Sequence, residues 1–259
     1  MFKERMIYIT GHNRLTLLNK LSKITAAILA GGLGTRLRSV VSGRPKVLAE
    51  VNNRPFIAYL LDQLSQAGVK KVVLCTGYLG EQVKATFGEY YKGLTLFYSQ
   101  ERTTLGTGGA LRQAFPLLKS EPVLVLNGDS FYQVDFINFL NQHIARKATA
   151  SLLLAEVPDV SRYGSVQLSM NGEITSFEEK SKKTGPGLIN AGVYLLNDAF
   201  LESIPANTNI SLERETFPLW INKGLYGFQS KGNFLDIGIP QDYAAAGHFL
   251  KSNIRVSTN

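Results

Sequence analysis

Three glycines and two cations follow the first apolar run of this chain. They stand in Ala30-Gly31-Gly32-Leu33-Gly34-Thr35-Arg36-Leu37, with Pro45-Lys46 behind. Glycine lets backbone N–H groups approach an anion with no side chain in the way. Arg36 and Lys46 add the fixed positive charge that a triphosphate requires. Two carboxylates stand far downstream, Asp129 in Asn127-Gly128-Asp129 and Asp236 in Asp236-Ile237-Gly238-Ile239-Pro240. An aspartate that follows a glycine at the end of an apolar strand can hold Mg²⁺ against a phosphate, or can cap the next segment. The glycine run is not a Walker loop, since no Lys-Ser or Lys-Thr follows a glycine in it. Nor is it a dinucleotide fingerprint, since Leu37 stands where the third glycine belongs. A plain tight turn would also use such glycines.

Strands and helices must hold these groups in place. An apolar strand over 25–30 leads into the glycine run. Pro55 to Ala67 has helical spacing, with Phe56, Tyr59, Leu60 and Leu64 on one face and Gly68 as the stop. The pattern then predicts a strand over 70–76, a helix over 81–87, a strand over 94–99, a helix over 107–118 and a strand over 122–127. Strands alternating with helices imply βαβ units: an α/β fold with a Rossmann-like, mixed but mainly parallel sheet flanked by helices. Ligands bind such sheets beyond the carboxyl ends of the strands, where the glycine run and Asp129 both fall. After Ala148 the strands at 166–168, 174–177 and 193–196 read as a mixed sheet. The last element is a helix over 241–251 with Pro240 at its first turn.

Composition excludes several classes. The chain has 259 residues, 44% hydrophobic and 19% charged, which is enough for a full core in one large domain. No apolar run reaches the ~18–20 residues of a membrane span. The opening Met1-Phe2-Lys3-Glu4-Arg5 leads into no signal-peptide pattern. The single cysteine, Cys75, excludes an internal disulfide and suits a reducing cytoplasm. Residues 1–24 hold five basic groups and one acid, half of the net charge of +8. Residues 1–23 read as an N-terminal extension, and 24–259 as one catalytic domain. A basic balance suits anionic small substrates or loose nucleic-acid contact. No zinc-finger spacing or RNA-recognition motif is present, so no specific nucleic-acid partner and no membrane partner is expected. Homo-oligomerisation is left open by the sequence.

The ordered motifs carry a resemblance. The opening run with Pro45-Lys46, Asn127-Gly128-Asp129, Tyr163-Gly164, Glu178-Glu179-Lys180, Leu188-Ile189-Asn190-Ala191-Gly192-Val193-Tyr194 and Asp236-Ile237-Gly238-Ile239-Pro240 resemble the sugar-phosphate nucleotidyltransferase family over residues 25–245. The resemblance implies that an NTP and a sugar 1-phosphate give an NDP-sugar and pyrophosphate. It implies Arg36 at the triphosphate, Lys46 at the α-phosphate, and Asp129 and Asp236 on Mg²⁺. Ala30, Gly31, Gly32, Gly34, Thr35, Gln100, Gly106 and Thr107 would bind the nucleotide. Gly164, Glu179, Lys180 and Asn190 would bind the sugar phosphate. The chain departs from the family at Ser181, where proline is usual, and at Arg38-Ser39-Val40-Val41. With Arg44-Pro45-Lys46 and Asn53-Arg54-Pro55-Phe56, that variant is most similar to guanylyltransferases acting on D-glycero-α-D-manno-heptose 1-phosphate. GTP and that heptose phosphate are the implied substrates. The alternatives are a hexose 1-phosphate guanylyl-, thymidylyl- or cytidylyltransferase, or a non-catalytic regulatory relative. No hexapeptide array follows residue 240, so no C-terminal β-helix is expected.

Overall fold

The computed structural model describes residues 20–32, 34–37, 40–41, 43–178, 184–230 and 232–253. The reading of an N-terminal extension therefore lies almost wholly outside the described residues.

Four strands make the parallel heart of the sheet: β1 (Thr25–Ala30), β4 (Lys71–Thr76), β6 (Leu94–Gln100) and β7 (Val123–Asn127), in the order β7-β1-β4-β6. Residues Ala26, Ala27, Ile28 and Leu29 register with both Val72–Cys75 and Leu124–Asn127. Alternate side chains enter two cores. Ile28, Leu74 and Leu126 pack on one face, and Ala27, Val73 and Val125 on the other. Burial on both faces explains why these strands read as unbroken apolar runs.

Two small ribbons, β2 (Glu50–Val51) with β3 (Arg54–Pro55) and β5 (Tyr90–Tyr91) with β6, edge this half. Helix α1 (Phe56–Gln66) buries Phe56, Ile57, Tyr59, Leu60, Leu61 and Leu64. Each such side chain contributes about 1.5–3 kcal/mol on burial. The helix stops where Gly68 takes φ +91°. There Val69 N–H donates to the Leu64 carbonyl and Gly68 N–H to that of Ser65, the pairing of a left-handed glycine cap. Helix α2 (Gly80–Phe87) joins β4 to the β5–β6 ribbon.

Helix α3 (Gly106–Ala114) is shorter than its pattern predicts. Pro116 cannot continue an α-helix, and Phe115–Leu117 tightens to a 3₁₀ turn. Helix α4 (Phe136–Ala145) is capped by the Asp135 carboxylate, which accepts from Asn138 N–H at 3.0 Å.

The second half is mixed. The long β12 (Gly187–Leu196) runs antiparallel to β7, to β9 (Ala150–Val157) and to β10 (Ser165–Leu168), which pairs with β11 (Ile174–Glu178). Strand β13 (Leu225–Gln229) runs parallel to β9. Outside the main sheet, β8 (Ser130–Tyr132) pairs with β14 (Phe234–Asp236). Helix α5 (Asp198–Glu202), a π-helical turn (Leu212–Thr216) running into α6 (Phe217–Leu219), and α7 (Pro240–Asn253) complete the fold. Among the described residues no helix is long and apolar enough to cross a membrane.

Candidate active site

The glycine run leaves the carboxyl end of β1 at the centre of the parallel sheet. Gly34 takes φ +59°, and a Cβ there would lie 3.1 Å from the Lys46 Cβ. This close approach lets the 3₁₀ turn Thr35–Leu37 pass over the second 3₁₀ turn, Lys46–Leu48. The neighbouring strand β7 ends at Asn127. Gly128 N–H then donates to the Leu29 carbonyl at 2.9 Å. A Cβ on Gly128 would stand 2.6 Å from that same oxygen, so only glycine fits between the two strand ends.

The next residue is Asp129. Its carboxylate takes the Lys46 ammonium at 2.7 Å, and the lysine side chain is only 10% exposed. The β8–β14 ladder pairs Asp236 with Ser130, and Ile237 N–H donates to the Asp129 carbonyl at 3.0 Å. Asp236 is thereby held beside Asp129, although 107 positions separate them in sequence. Its Oδ1 accepts from Gly238 N–H at 2.6 Å. Burial pushes the Asp236 carboxyl above the ordinary aspartate range, and the Asp129 charge pushes it further. Lys46 and Arg36 pull it down without cancelling that rise. The result, among the described residues, is two crowded carboxylates with Lys46 as the close cation.

A cavity of about 260 Å³ opens at Lys46 and Asp129, and Asp236 is not part of its lining. Ala30, Gly31, Gly32, Lys46 and Asp129 line one side, and Gly106 and Thr107 line the other. Nucleotide residues foreseen at two separate places in the sequence, 30–32 and 106–107, therefore meet. Arg36 lies exposed on its turn, within electrostatic reach of Asp236. Thr35 lies on the same turn. Gln100 does not line the cavity. It ends β6 facing solvent, and its amide packs against Gly80. The next residue, Glu101, lines the cavity instead. The Glu101 Oε2 accepts from Leu105 N–H at 3.0 Å, and burial pushes its carboxyl upward. Its Oε1 lies so close to Gly31 and Gly77 that a Cβ on either would stand 2.6–2.7 Å away.

The start of α3 is less open to an anion than its sequence suggests. Gly108 and Gly109 N–H both donate to the Ile210 carbonyl. The Thr107 hydroxyl donates to Glu213 at 2.7 Å and accepts from Leu212 N–H at 2.8 Å. The sugar-side residues come from β12 and the loop before β10. Asn190 precedes a bulge in β12, where Gly192 takes φ +75°. Its Oδ1 accepts from Gly192 N–H at 2.9 Å, and its Nδ2 donates to the Tyr194 hydroxyl at 2.8 Å. Gly164 directly precedes β10, whose Ser165 pairs with Ile189. Glu179 and Lys180 lie outside the described residues.

Sequence reading missed Asn127, Glu101, Tyr194 and Glu213. It also missed Arg162, which pairs with Asp242 through both guanidinium nitrogens and ties the Tyr163-Gly164 loop to α7. Asn127 and Tyr194 sat inside quoted motifs. The other groups are gathered by the fold. Two groups left without a catalytic role are structural. Cys75 is buried, its thiol pushed up to about 12 by burial and by the Glu101 charge. His143 is buried between Ser151 and Asn197 at 2.7 and 2.9 Å, and burial lowers its pKa.

Comparison with known proteins gives a consistent result. The family model described as nucleotidyl transferase matches residues 25–253. A D-glycero-alpha-D-manno-heptose 1-phosphate guanylyltransferase of Aneurinibacillus thermoaerophilus is 40% identical over 88% of this chain and 99% of its own length. A mannose-1-phosphate guanylyltransferase of Mycobacterium tuberculosis is 32% identical over 91% of this chain and 67% of its own length. The crystal structure of HddC from Yersinia pseudotuberculosis superposes with a TM-score of 0.78 at 31% identity, covering 88% of this chain and 99% of that one. A second structure of that protein is a complex with GMP-PN.

Proposed function

The chain belongs to the nucleotidyl transferase family, and on that footing we propose that it joins GTP to a sugar 1-phosphate, giving a GDP-sugar and pyrophosphate. We assign D-glycero-α-D-manno-heptose 1-phosphate as the sugar substrate. The observation that carries the reaction is the Lys46–Asp129 pair on the wall of a glycine-lined cavity, with Asp236 held beside Asp129. The sugar-phosphate oxygen attacks the α-phosphorus, and the bridging oxygen to the β-phosphorus leaves with pyrophosphate. This displacement needs alignment and charge neutralisation rather than a covalent nucleophile. Lys46 stabilises charge at the α-phosphate. Arg36 holds the leaving pyrophosphate. The Gly31, Gly32 and Gly34 backbone approaches the triphosphate, with Ala30, Thr35, Gly106 and Thr107 around the nucleoside.

Asp129 and Asp236 would hold Mg²⁺. The fit rests on their chemistry: two hard oxygen donors, side by side, with Asp236 pushed up by burial and like charge. No group of three or more His, Cys, Asp or Glu side chains suited to a metal occurs among the described residues. One or two carboxylates completed by phosphate oxygens and water is the usual Mg²⁺ arrangement. Such an ion, when bound, supplies charge neutralisation at the phosphates.

Glu101 rather than Gln100 is the group we assign to the base. Guanine presents two adjacent donors, N1–H and the 2-amino group. A carboxylate on the cavity wall accepts both, whereas cytosine, with its 4-amino group, and thymine, with N3–H, each offer it one donor group next to an acceptor. Gly164, Glu179, Lys180 and Asn190 are assigned to the sugar phosphate on their motifs. The M. tuberculosis relative keeps mannose 1-phosphate as a second candidate substrate.

Pyrophosphate release from GTP, CTP and dTTP, each with heptose, mannose and glucose 1-phosphates, tests the reading. GTP with the heptose phosphate is expected to give the highest kcat/KM. A higher value with CTP or dTTP would overturn the guanine assignment.

A further inference from the structure

The segment 208–216 is locked onto the start of α3. Ile210 O takes two amides of that helix, and Leu212 N–H reaches Thr107. Ser211 caps the π-helical turn through Arg214 N–H at 3.2 Å, and Ser211 N–H donates to Glu215 at 2.8 Å. π-Helical turns are rare and recur at functional sites. This one directs Glu213 inward. The Glu213 Oε2 accepts from Thr107 at 2.7 Å and from Ser211 Oγ at 3.0 Å, and its Oε1 accepts from the Tyr194 hydroxyl at 3.2 Å. Tyr194 is fully buried. Its hydroxyl takes Asn190 Nδ2 at 2.8 Å and Asn127 Nδ2 at 3.4 Å.

We propose that Glu213 is a positioning residue for the transfer reaction, its carboxylate setting the direction of a hydrogen-bond chain that runs from Thr107 through Tyr194 to Asn190. An ionised carboxylate only accepts. Tyr194 must therefore donate to it, which leaves the phenol oxygen free to accept alone. Both asparagine amides must then turn Nδ2 toward Tyr194. Asn190 Oδ1 faces Gly192 N–H as a consequence, and one lone pair on Oδ1 and one Nδ2 hydrogen remain for a substrate hydroxyl. Thr107, held by the same carboxylate, lines the nucleotide cavity. One carboxylate thus orients groups on both sides of the reacting phosphates. A glutamine at 213 could donate to Tyr194, and the chain would lose its fixed direction. The inference rests on Asn190 binding a hydroxyl of the sugar phosphate.

Steady-state kinetics with each substrate varied, on Glu213→Gln, Tyr194→Phe, Asn190→Ala and Tyr194→Phe combined with Asn190→Ala, test it. Glu213→Gln is isosteric, and Tyr194→Phe keeps the buried ring. Tyr194→Phe and Glu213→Gln are expected to raise the sugar-phosphate KM about 10-fold, the scale of one hydrogen bond. Tyr194→Phe should leave the GTP KM within about 2-fold, and the double variant should cost no more than Asn190→Ala alone. A raised sugar-phosphate KM in Asn190→Ala with unchanged values in Glu213→Gln and Tyr194→Phe would overturn the inference alone. Additive effects, or equal changes in both KM values in Tyr194→Phe with a lowered Tm, would reduce the chain to a packing role and overturn it too. An unchanged KM in Asn190→Ala would overturn the sugar-side reading, and the inference with it.

Discussion

Replacing Asp236 by asparagine should lower activity and raise stability together. The structure supplies the reason for both signs. Asp236 is half-buried beside Asp129, and Lys46, the close cation among the described residues, is already engaged with Asp129. Two neighbouring like charges at an effective dielectric near 20 repel by a few kcal/mol, and the Lys46 charge offsets much of this, leaving a residual on the order of 1 kcal/mol. Asparagine removes the repulsion and keeps the oxygen that accepts from Gly238 N–H. At about 2–4 °C per kcal/mol for a chain of this size, metal-free Asp236→Asn should melt roughly 2–4 °C above the parent protein. The pH dependence follows from the raised carboxyl. The parent carries the penalty where Asp236 is ionised, at neutral pH. It sheds the penalty as pH falls through the raised folded pKa, so the two melting curves should converge in acid. Turnover should fall about 100-fold or more, since a group serving the phosphate charge is lost. Scanning fluorimetry in EDTA from pH 4 to 8, beside pyrophosphate release with Mg²⁺, reads both. A folded variant with near-normal turnover, or one that melts lower at neutral pH, would refute the reasoning.

Lys46→Met should have the opposite effect on stability. It leaves the two carboxylates uncompensated, so Tm should fall while kcat drops about 100-fold; a Tm unchanged or raised in metal-free buffer would contradict the charge balance described above. Glu101→Gln should erase most of the preference for GTP over ITP, which lacks the 2-amino group, by about 10-fold in the kcat/KM ratio; an unchanged ratio would remove Glu101 from the base site and leave it holding only Leu105.

The central strands are legible because the information is local, and Lys46 and Asp129, 83 positions apart, were each legible from a motif of their own although their pairing was not. A strand buried on both faces is a run of apolar residues, and β1, β4 and β7 read as such. Helix α4 carried a legible signal that went unread, with Phe136, Phe139, Leu140 and His143 buried at helical spacing behind the Asp135 cap. Strand β9 runs Ala150–Val157 with six successive buried residues, but no turn residue sets it off from the segment before it. The shift from Gln100 to Glu101 reflects period-two geometry at a strand end, where one position changes which side a residue serves. Tyr194 and Glu213 lay beyond reach for a different reason. Their partners Thr107 and Asn127 are 67 to 106 positions away, and only the folded sheet brings them together. No spacing rule encodes such a meeting.

Isotope-labelled GTP tests the central claim most directly. With the heptose 1-phosphate, Mg²⁺ and the purified protein, label at the α-phosphorus should enter the sugar nucleotide, and label at the γ-phosphorus should leave in pyrophosphate. Transfer of the γ-label to the sugar phosphate, or binding of both substrates with no turnover, would contradict nucleotidyl transfer at the Lys46–Asp129–Asp236 cluster.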